Sequence, residues 1–521
     1  MNEYRRSVWV CRSRPALLWL GLFTVGCALP PGREAAREQA ATADLAAYRA
    51  RAPAVPTPVT LADALRLADT WNIEVWMAAQ EHKVQEELRT QSLLKLLPSL
   101  VAGVESRHRS ELDAASSVSL DRGEQSLEPS YSSDKTSRMW DLSATWNLLD
   151  FGLSMCRARQ QSNRVAIAAE RERRVRQNLA FEVTRAYWQA VATAVVAAEA
   201  ERIGYAVDAA LARLAEETEN KTIAPADGLK RETILLEHLE ELQRYRRLHL
   251  QAKTELTTLM GLPPGTHIEL DTPDLDAPGP GSRPSAASPG IAPLLPALAG
   301  RERGRVTPSD GLEDVGAPPA AGPEADLAAL ETEALRRRPE LFEKDREEWI
   351  SRDEAYIALA QMFPSFAVFW RYDWDQNRYL AFNEWSTVGL RASWDLLAIP
   401  SLLAQHGAAR LQTELVKRQR TATAVAILTQ VRLAWLDVQE AADQMRLTRA
   451  IADRHRQLRD VIQGTAEQGK SHAGEALEQE LKYLKALARH LTAQANLLTA
   501  QARLENAVGR DTAVAAEGTP P

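Results

Sequence analysis

The chain has 521 residues, 45% hydrophobic and 26% charged, and a formal net charge of −7. That composition excludes a wholly disordered chain, and the acidic balance makes nucleic acid a poor partner. Beyond residue 30 no run approaches the ~20 apolar residues that a helical membrane span needs. Trp (13) outnumbers Tyr (10) and Phe (8), and three Cys supply no disulfide framework.

At the N-terminus, Arg5, Arg6, Arg12 and Arg14 precede an apolar run from Ala16 to Val25, and Gly26-Cys27 follows. Basic, then apolar, then small is the order of a secretory signal, and the run is too short for an ordinary span. With Cys27 directly after Gly26 the segment resembles a bacterial lipoprotein lipobox. That resemblance implies a signal peptide over 1–26 and a lipidated, palmitate-bearing Cys27. Ala28 at the next position implies sorting outward to the outer membrane. Cleavage removes four Arg and one Glu, taking the charge from −7 to −10. Cys11 leaves with the signal, and Cys156 remains as a lone structural thiol. Residues 27–59 read as a lipid-anchored, extended segment.

The remainder is one unit written twice. Leu97-Pro98-Ser99 recurs as Phe363-Pro364-Ser365, and Leu61 and Ala68 recur as Leu327 and Ala334, all at an offset of 266. Trp146-Asn147-Leu148-Leu149 recurs as Trp394-Asp395-Leu396-Leu397, and Tyr187 and Gly261 as Trp435 and Gly509, at an offset of 248. The register shifts once, across a polar stretch near 109–137, as a longer loop in the first copy requires. The copies span 60–262 and 326–510. Between them 263–325 is loaded with Pro, Gly, Ser and Ala and reads as a linker, with 511–521 as a tail.

Each copy reads helix, strand, strand, long helix, return helix. Thr60 is positioned to cap a helix with Asp63 in its first turn, running to about Leu96 before Pro98. From about Gly152 to Glu219 a charged, Ala-rich segment without proline has the spacing of a coiled-coil-like helix, ~100 Å long at 1.5 Å per residue. The helices over 60–96 and 226–261 are each ~55 Å by the same rise, so laid end to end they match it. Segments 140–148, 366–374 and 386–396 alternate apolar and polar residues, with Trp140, Trp146, Trp370, Trp374 and Trp394 on the apolar side and Trp385 beside them. About ten residues of such alternation, with an aromatic-rich apolar face, suit a transmembrane β-strand. Four strands close no barrel alone, so several chains would share one.

These features together resemble the TolC-like outer-membrane efflux protein family, over roughly 58–262 and 326–510. Val59-Thr60-Leu61 with Ala64-Leu65, Ala68 and Asn72 is similar to the family's first-helix pattern, with Ile73 in place of Pro. Arg338-Pro339-Glu340 keeps that Pro. Leu97-Pro98-Ser99 and Phe363-Pro364-Ser365 resemble its strand-opening motif, and Trp146 through Gly152 its Trp-x-Leu-Phe-Asp-x-Gly motif. Gly469 to Glu475, then Leu477 and Glu480, resembles its helical-hairpin tip. The first copy has Asp227, Leu229 and Glu232 there, with Lys221 where the pattern has Gly. The resemblance implies a mainly α fold with a small transmembrane β part: a homotrimer with a 12-stranded β-barrel continuous with a periplasmic α-helical barrel. It also implies a passive exit duct, coupled through a periplasmic adaptor to an inner-membrane pump, without enzymatic activity or cofactor.

The candidate site residues follow. Gly469 and Lys221 are adaptor-facing tip positions, and Asp227 and Glu475 begin the return helices, where a carboxylate suits the helix N-terminus. By strand parity Asp141, Arg371, Asp373, Arg391 and Asp395 face the lumen. Glu216, Glu217 and Glu219 are a water-facing surface or line the tunnel entrance. There is no phosphate loop, dinucleotide fingerprint or nucleophile elbow, and His406, His455 and His472 lack metal-ligand spacing. A non-conducting periplasmic coiled-coil lipoprotein is the alternative, which the duplicated strand pairs disfavour.

Overall fold

The computed structural model describes residues 33–50, 53–125, 128–220, 222–263, 265–271, 323–467 and 473–511. In chain order these form α1 (Arg33–Ala50), α2 (Leu61–Trp71), α3 (Ile73–Leu94), β1 (Ser99–His108), β2 (Ala114–Ala115), β3 (Ser130–Tyr131), β4 (Thr136–Asn147), α4 (Leu148–Glu219) and α5 (Pro225–Leu259). Then follow α6 (Pro323–Arg337), α7 (Pro339–Ala360), β5 (Ser365–Asp375), β6 (Glu384–Ser393), α8 (Ile399–Glu467) and α9 (Ala473–Val508). No described helix is long and apolar enough to cross a membrane.

The long helices α4 and α8 have 72 and 69 residues, ~105 Å each at the standard rise. Against α4 pack α2 and α3 toward the strands and α5 toward the far end, while α6, α7 and α9 pack against α8. The repeats join where α4 meets α7 and α9, and where β4 pairs with β5.

The duplication is visible in the packing. One core gathers Ala64, Ala68 and Val75 with Val183, Ala186, Ala190, Ala252, Leu256 and Met260. A second gathers the positions displaced by 266 or 248: Leu330, Ala334 and Leu341 with Val431, Ala434, Val438, Ala500, Leu504 and Val508. Each return helix ends the same way. Leu262 N–H donates to Thr257 C=O and Gly261 N–H to Thr258 C=O, as Arg510 does to Glu505 and Gly509 to Asn506. That pair of bonds needs a left-handed residue after the helix, and both glycines have positive φ, 73° and 81°.

The first helix is not continuous over 60–96. Thr60 caps α2 through a reciprocal pair of bonds with Asp63, as its sequence predicts. The helix then breaks at Asn72, which is extended (φ −67°, ψ 132°) and restarts α3 by accepting from Glu74 N–H at 2.8 Å. Its side-chain amide donates to Leu259 C=O at 3.0 Å, tying the break to the end of α5. In the second repeat Arg338 takes the same backbone conformation because Pro339 follows, and its guanidinium donates to Asn506 C=O at 2.9 Å. Burial pushes the Arg338 guanidinium below its ordinary pKa. The kink survives the loss of proline in the first repeat because Asn72 supplies both the cap and the tie.

Three further boundaries differ from expectation. The segment 27–59 is not extended throughout: 33–50 is helical, because its run of Ala, Glu, Arg and Gln has high helix propensity. The linker begins later than residue 263, since Ile268 is buried and Val59 N–H donates to Glu269 C=O at 2.7 Å while Asp271 N–H donates to Val59 C=O at 2.9 Å. The long helix starts at Leu148, not near Gly152, because the Asn147 side chain accepts from Leu149 N–H and Asp150 N–H.

Candidate functional site

The four long strands form one antiparallel sheet in the order β1-β4-β5-β6. At 10 to 12 residues each and ~3.3 Å per residue, strands tilted by ~40° span ~25–30 Å, the height of an apolar bilayer band. In the small β2–β3 pair the loop of the first repeat folds back on itself beyond the sheet.

Register assigns the faces. Trp140 pairs with Val104 and Trp374, Leu142 with Ala102 and Tyr372, Ala144 with Leu100 and Trp370, and Trp146 with Val368. Trp370 in turn pairs with Val388, Val368 with Leu390 and Phe366 with Ala392. Over this stretch the face is apolar and uncovered, with Leu100, Val104, Val388 and Leu390 each 65–73% exposed; Arg138, Glu384 and Ser386 continue it at the end away from the helices. Trp140 and Trp374 meet edge to face at 6.4 Å at the end away from the helices, and Trp146 and Phe151 at 5.5 Å at the helix end. Water is a poor solvent for such a surface, and aromatic residues near both ends are what a bilayer boundary favours.

The opposite face carries Asp141, Arg371, Asp373 and Arg391, brought together by register as parity predicts. Arg371 holds Asp373 at 2.7 Å, and Asp373 is nearly buried. Asp141 lies directly across from Asp373 on one side and Gly103 on the other, and its carboxylate fills the space where a Cβ at residue 103 would stand.

Asp395 departs from expectation. It lies beyond β6, and its carboxylate accepts from Leu397 N–H and Ala398 N–H, both at 3.1 Å. It caps the approach to α8 as Asn147 caps α4, so strand parity does not extend to it. Trp394 also lies beyond the strand, its indole N–H donating to Met362 C=O at 3.0 Å.

Phe369 and Trp385 were missed as members of the polar face. Phe369 stands over Gly389, where a Cβ would collide with its ring, and Arg391 lies over that ring at 5.5 Å. The signal was present: Phe369 has the parity of Arg371, with glycine opposite. Trp385 pairs with Asp373 rather than joining the apolar Trp residues.

At the far ends of the long helices, Asp227 and Glu475 lie in the first turns of α5 and α9. Asp227 is within 3.9 Å of Lys230. Cys27, Lys221 and Gly469 lie outside the described residues, as do 1–32 and 512–521. Cys156 is buried against Ile357, and burial raises its thiol pKa. Among the described residues no cluster of His, Cys, Asp and Glu could hold a metal ion.

Residues 330–510 match the family model described as outer membrane efflux protein. The fold is TolC-like. It is similar to that of the outer-membrane channel OprN, at 15% identity and a TM-score of 0.62, with 87% of this chain and 90% of that one covered. It is similar also to the Campylobacter jejuni outer membrane channel CmeC, at 11% identity and a TM-score of 0.61, covering 88% and 87%. The open state of the Neisseria gonorrhoeae MtrE outer membrane channel follows at 16% identity and 0.60, covering 86% and 89%. No curated protein matches the sequence. At these identities the structural likeness is one of fold, and it extends the TolC-like architecture over both repeats.

Proposed function

We propose that the chain is one third of a passive exit duct in the outer membrane, anchored there additionally by lipid on Cys27. The observation that carries this reading is a sheet with one face apolar and exposed across its middle and with the outer edges of β1 and β6 unpaired among the described residues. Unpaired strand edges and an apolar face cannot coexist in a bilayer unless neighbouring copies close the sheet, since lipid satisfies no backbone N–H or C=O. Three copies supply twelve strands, with the polar face turned to a wet lumen. The paired long helices, ~100 Å from the sheet to the hairpin tips, suit a conduit across the periplasm. There an adaptor and an inner-membrane pump would supply drive and substrate choice, and the chain itself would catalyse no reaction.

The test is direct. Purified from outer membranes, the protein should run as a heat-dissociable trimer and give discrete conductance steps in planar bilayers. A chain released from membranes by high salt as a monomer would refute the duct and favour a coiled-coil spacer. Separately, Cys27→Ser should abolish palmitate labelling, and persistent label would overturn the anchor.

A further inference from the structure

Near the sheet, α4 carries two arginines that no carboxylate answers. Elsewhere on this helix Arg159 pairs with Asp353, Arg171 and Arg174 with Glu343, and Arg176 with Asp69 and Glu172. Among the described residues Arg157 and Arg164 make no ion pair, and Arg164 donates to the Gln161 side chain at 3.1 Å. Both line a cavity of about 440 Å³ together with Lys95, which caps the end of α3, and with Ser92, Ser154, Gln160 and Gln161. Three cations and four neutral polar side chains surround this space, and no carboxylate lines it. Its two glutamines are buried and held: Gln160 donates to Ile350 C=O at 3.2 Å and to Glu354 at 2.9 Å, and Gln161 to Gln85 at 2.8 Å.

The fold does not require this charge. At the offsets of 266 and 248 the second repeat has Gln361, Gln405 and Gln412 for Lys95, Arg157 and Arg164, and it builds the same helices. Like charges held around one cleft repel one another, and an anion between them relieves that repulsion.

The cavity also opens to a particular side. Phe151 meets Trp146 of the apolar sheet face, and Met155, one turn further on the same side of α4, is 63% exposed. Arg157 and Arg164 are two and nine residues from Met155, about a half-turn around the helix for both. They therefore point away from the apolar face, to the side of Asp141 and Arg371. Arg157 lies nine residues into α4, ~14 Å from the sheet at the standard rise.

We propose that this cavity is an anion site in the wall of the conduit, taking a soluble oxyanion with two or more negative charges. This rests on the duct reading above, and three copies would set three such sites around one level of the lumen. Each planar guanidinium fork can grip two oxygens of a phosphate or carboxylate, and the Lys95 ammonium adds a point charge. Anionic solutes would thus concentrate at this level before they enter the sheet.

The test uses the full chain purified in detergent, with inorganic pyrophosphate as the probe in about 0.3 M potassium chloride, where attraction by net charge alone is screened. Calorimetric titration should show saturable binding at one site per chain. Arg157→Gln with Arg164→Gln, which installs the glutamines of the second repeat, should weaken it roughly tenfold or more. Arg420→Gln, which removes one charge from α8, should leave it unchanged. In planar bilayers pyrophosphate should lower the unit conductance of the wild type and spare the double variant. No saturable binding to the wild type, or equal binding to the double variant, overturns the site. Binding that leaves open-channel current unchanged overturns its place in the conduit. If the protein gives no conductance steps at all, the duct fails, and calorimetry alone still decides the cavity.

Discussion

Gly261 and Gly509 end their helices through the same two hydrogen bonds, yet the chain passes them at different distances. Both have positive φ, so alanine at either site carries a left-handed penalty of ~1–2 kcal/mol. At Gly261 the added methyl would stand 2.5 Å from the Trp71 carbonyl oxygen and 2.7 Å from its carbon. That peptide cannot yield easily, because Asn72 beside it caps α3 and donates to Leu259 C=O. At Gly509 the nearest atoms, the Arg337 carbonyl and Arg338 nitrogen, are at 3.2 Å, a gap opened by a shift of a few tenths of an ångström. Overpacking against fixed atoms adds ~1–3 kcal/mol. Gly261→Ala should therefore lose about 3–4 kcal/mol and Gly509→Ala about 1–2 kcal/mol. Urea titration of the detergent-held protein, followed by tryptophan fluorescence, reads both. Gly509→Asn serves as a control, since Asn tolerates the left-handed region. Equal losses at the two glycines, or a larger one at Gly509, would refute the claim that the kink backbone sets the difference.

Four further outcomes follow from the same geometry. Asn72→Ala loses a helix cap and a tie to α5, and should lower stability by ~1–2 kcal/mol while speeding proteolysis near residue 72. Leu256→Ala empties a fully buried site in the first core and should lose ~2–5 kcal/mol in the same titration. The Glu333 carboxyl is held below its ordinary pKa by its hydrogen bond from Arg510, so its contribution is present above the ordinary Glu range and lost as pH falls through the lowered value. Wild type should accordingly exceed Glu333→Gln most above roughly pH 5, and the gap should close with acid; a gap that widens there would sink this assignment. On the proposed lumen face Asp141 and Asp373 stand among Arg371 and Arg391, so Arg391→Ala should move the bilayer reversal potential toward cation preference and Asp141→Asn toward anions.

Periodicity made the helices, the strand faces and the duplication legible before any coordinate. Alternation over 366–374 located the apolar face because successive strand residues point to opposite faces of the sheet, and register kept Asp141, Arg371, Asp373 and Arg391 together. Where the reading failed, a single side chain had replaced the periodic rule. Asp395 and Asn147 occupy the same repeat position, and both spend their side chains on the first N–H groups of a long helix. Parity stops at such a residue because its backbone no longer belongs to the ladder. Asn72 breaks a helix without proline for a similar reason, its amide bonding forward to Glu74 and across to Leu259, and only the second contact distinguishes it from an ordinary solvent-facing Asn.

The polarity of the contact between α4 and α7 was legible in neither helix alone. Asn163 on an isolated α4 reads as one more polar residue, yet it is buried there. The surface between α4 and α7 holds the two halves of the chain together with charge, through Arg159 on Asp353 and through Arg171 and Arg174 around Glu343. Salt then becomes a discriminating perturbation. High ionic strength should loosen α7 from α4, and proteolysis within α7 that speeds with added salt would show it, whereas a salt-independent rate would refute the role of these charges.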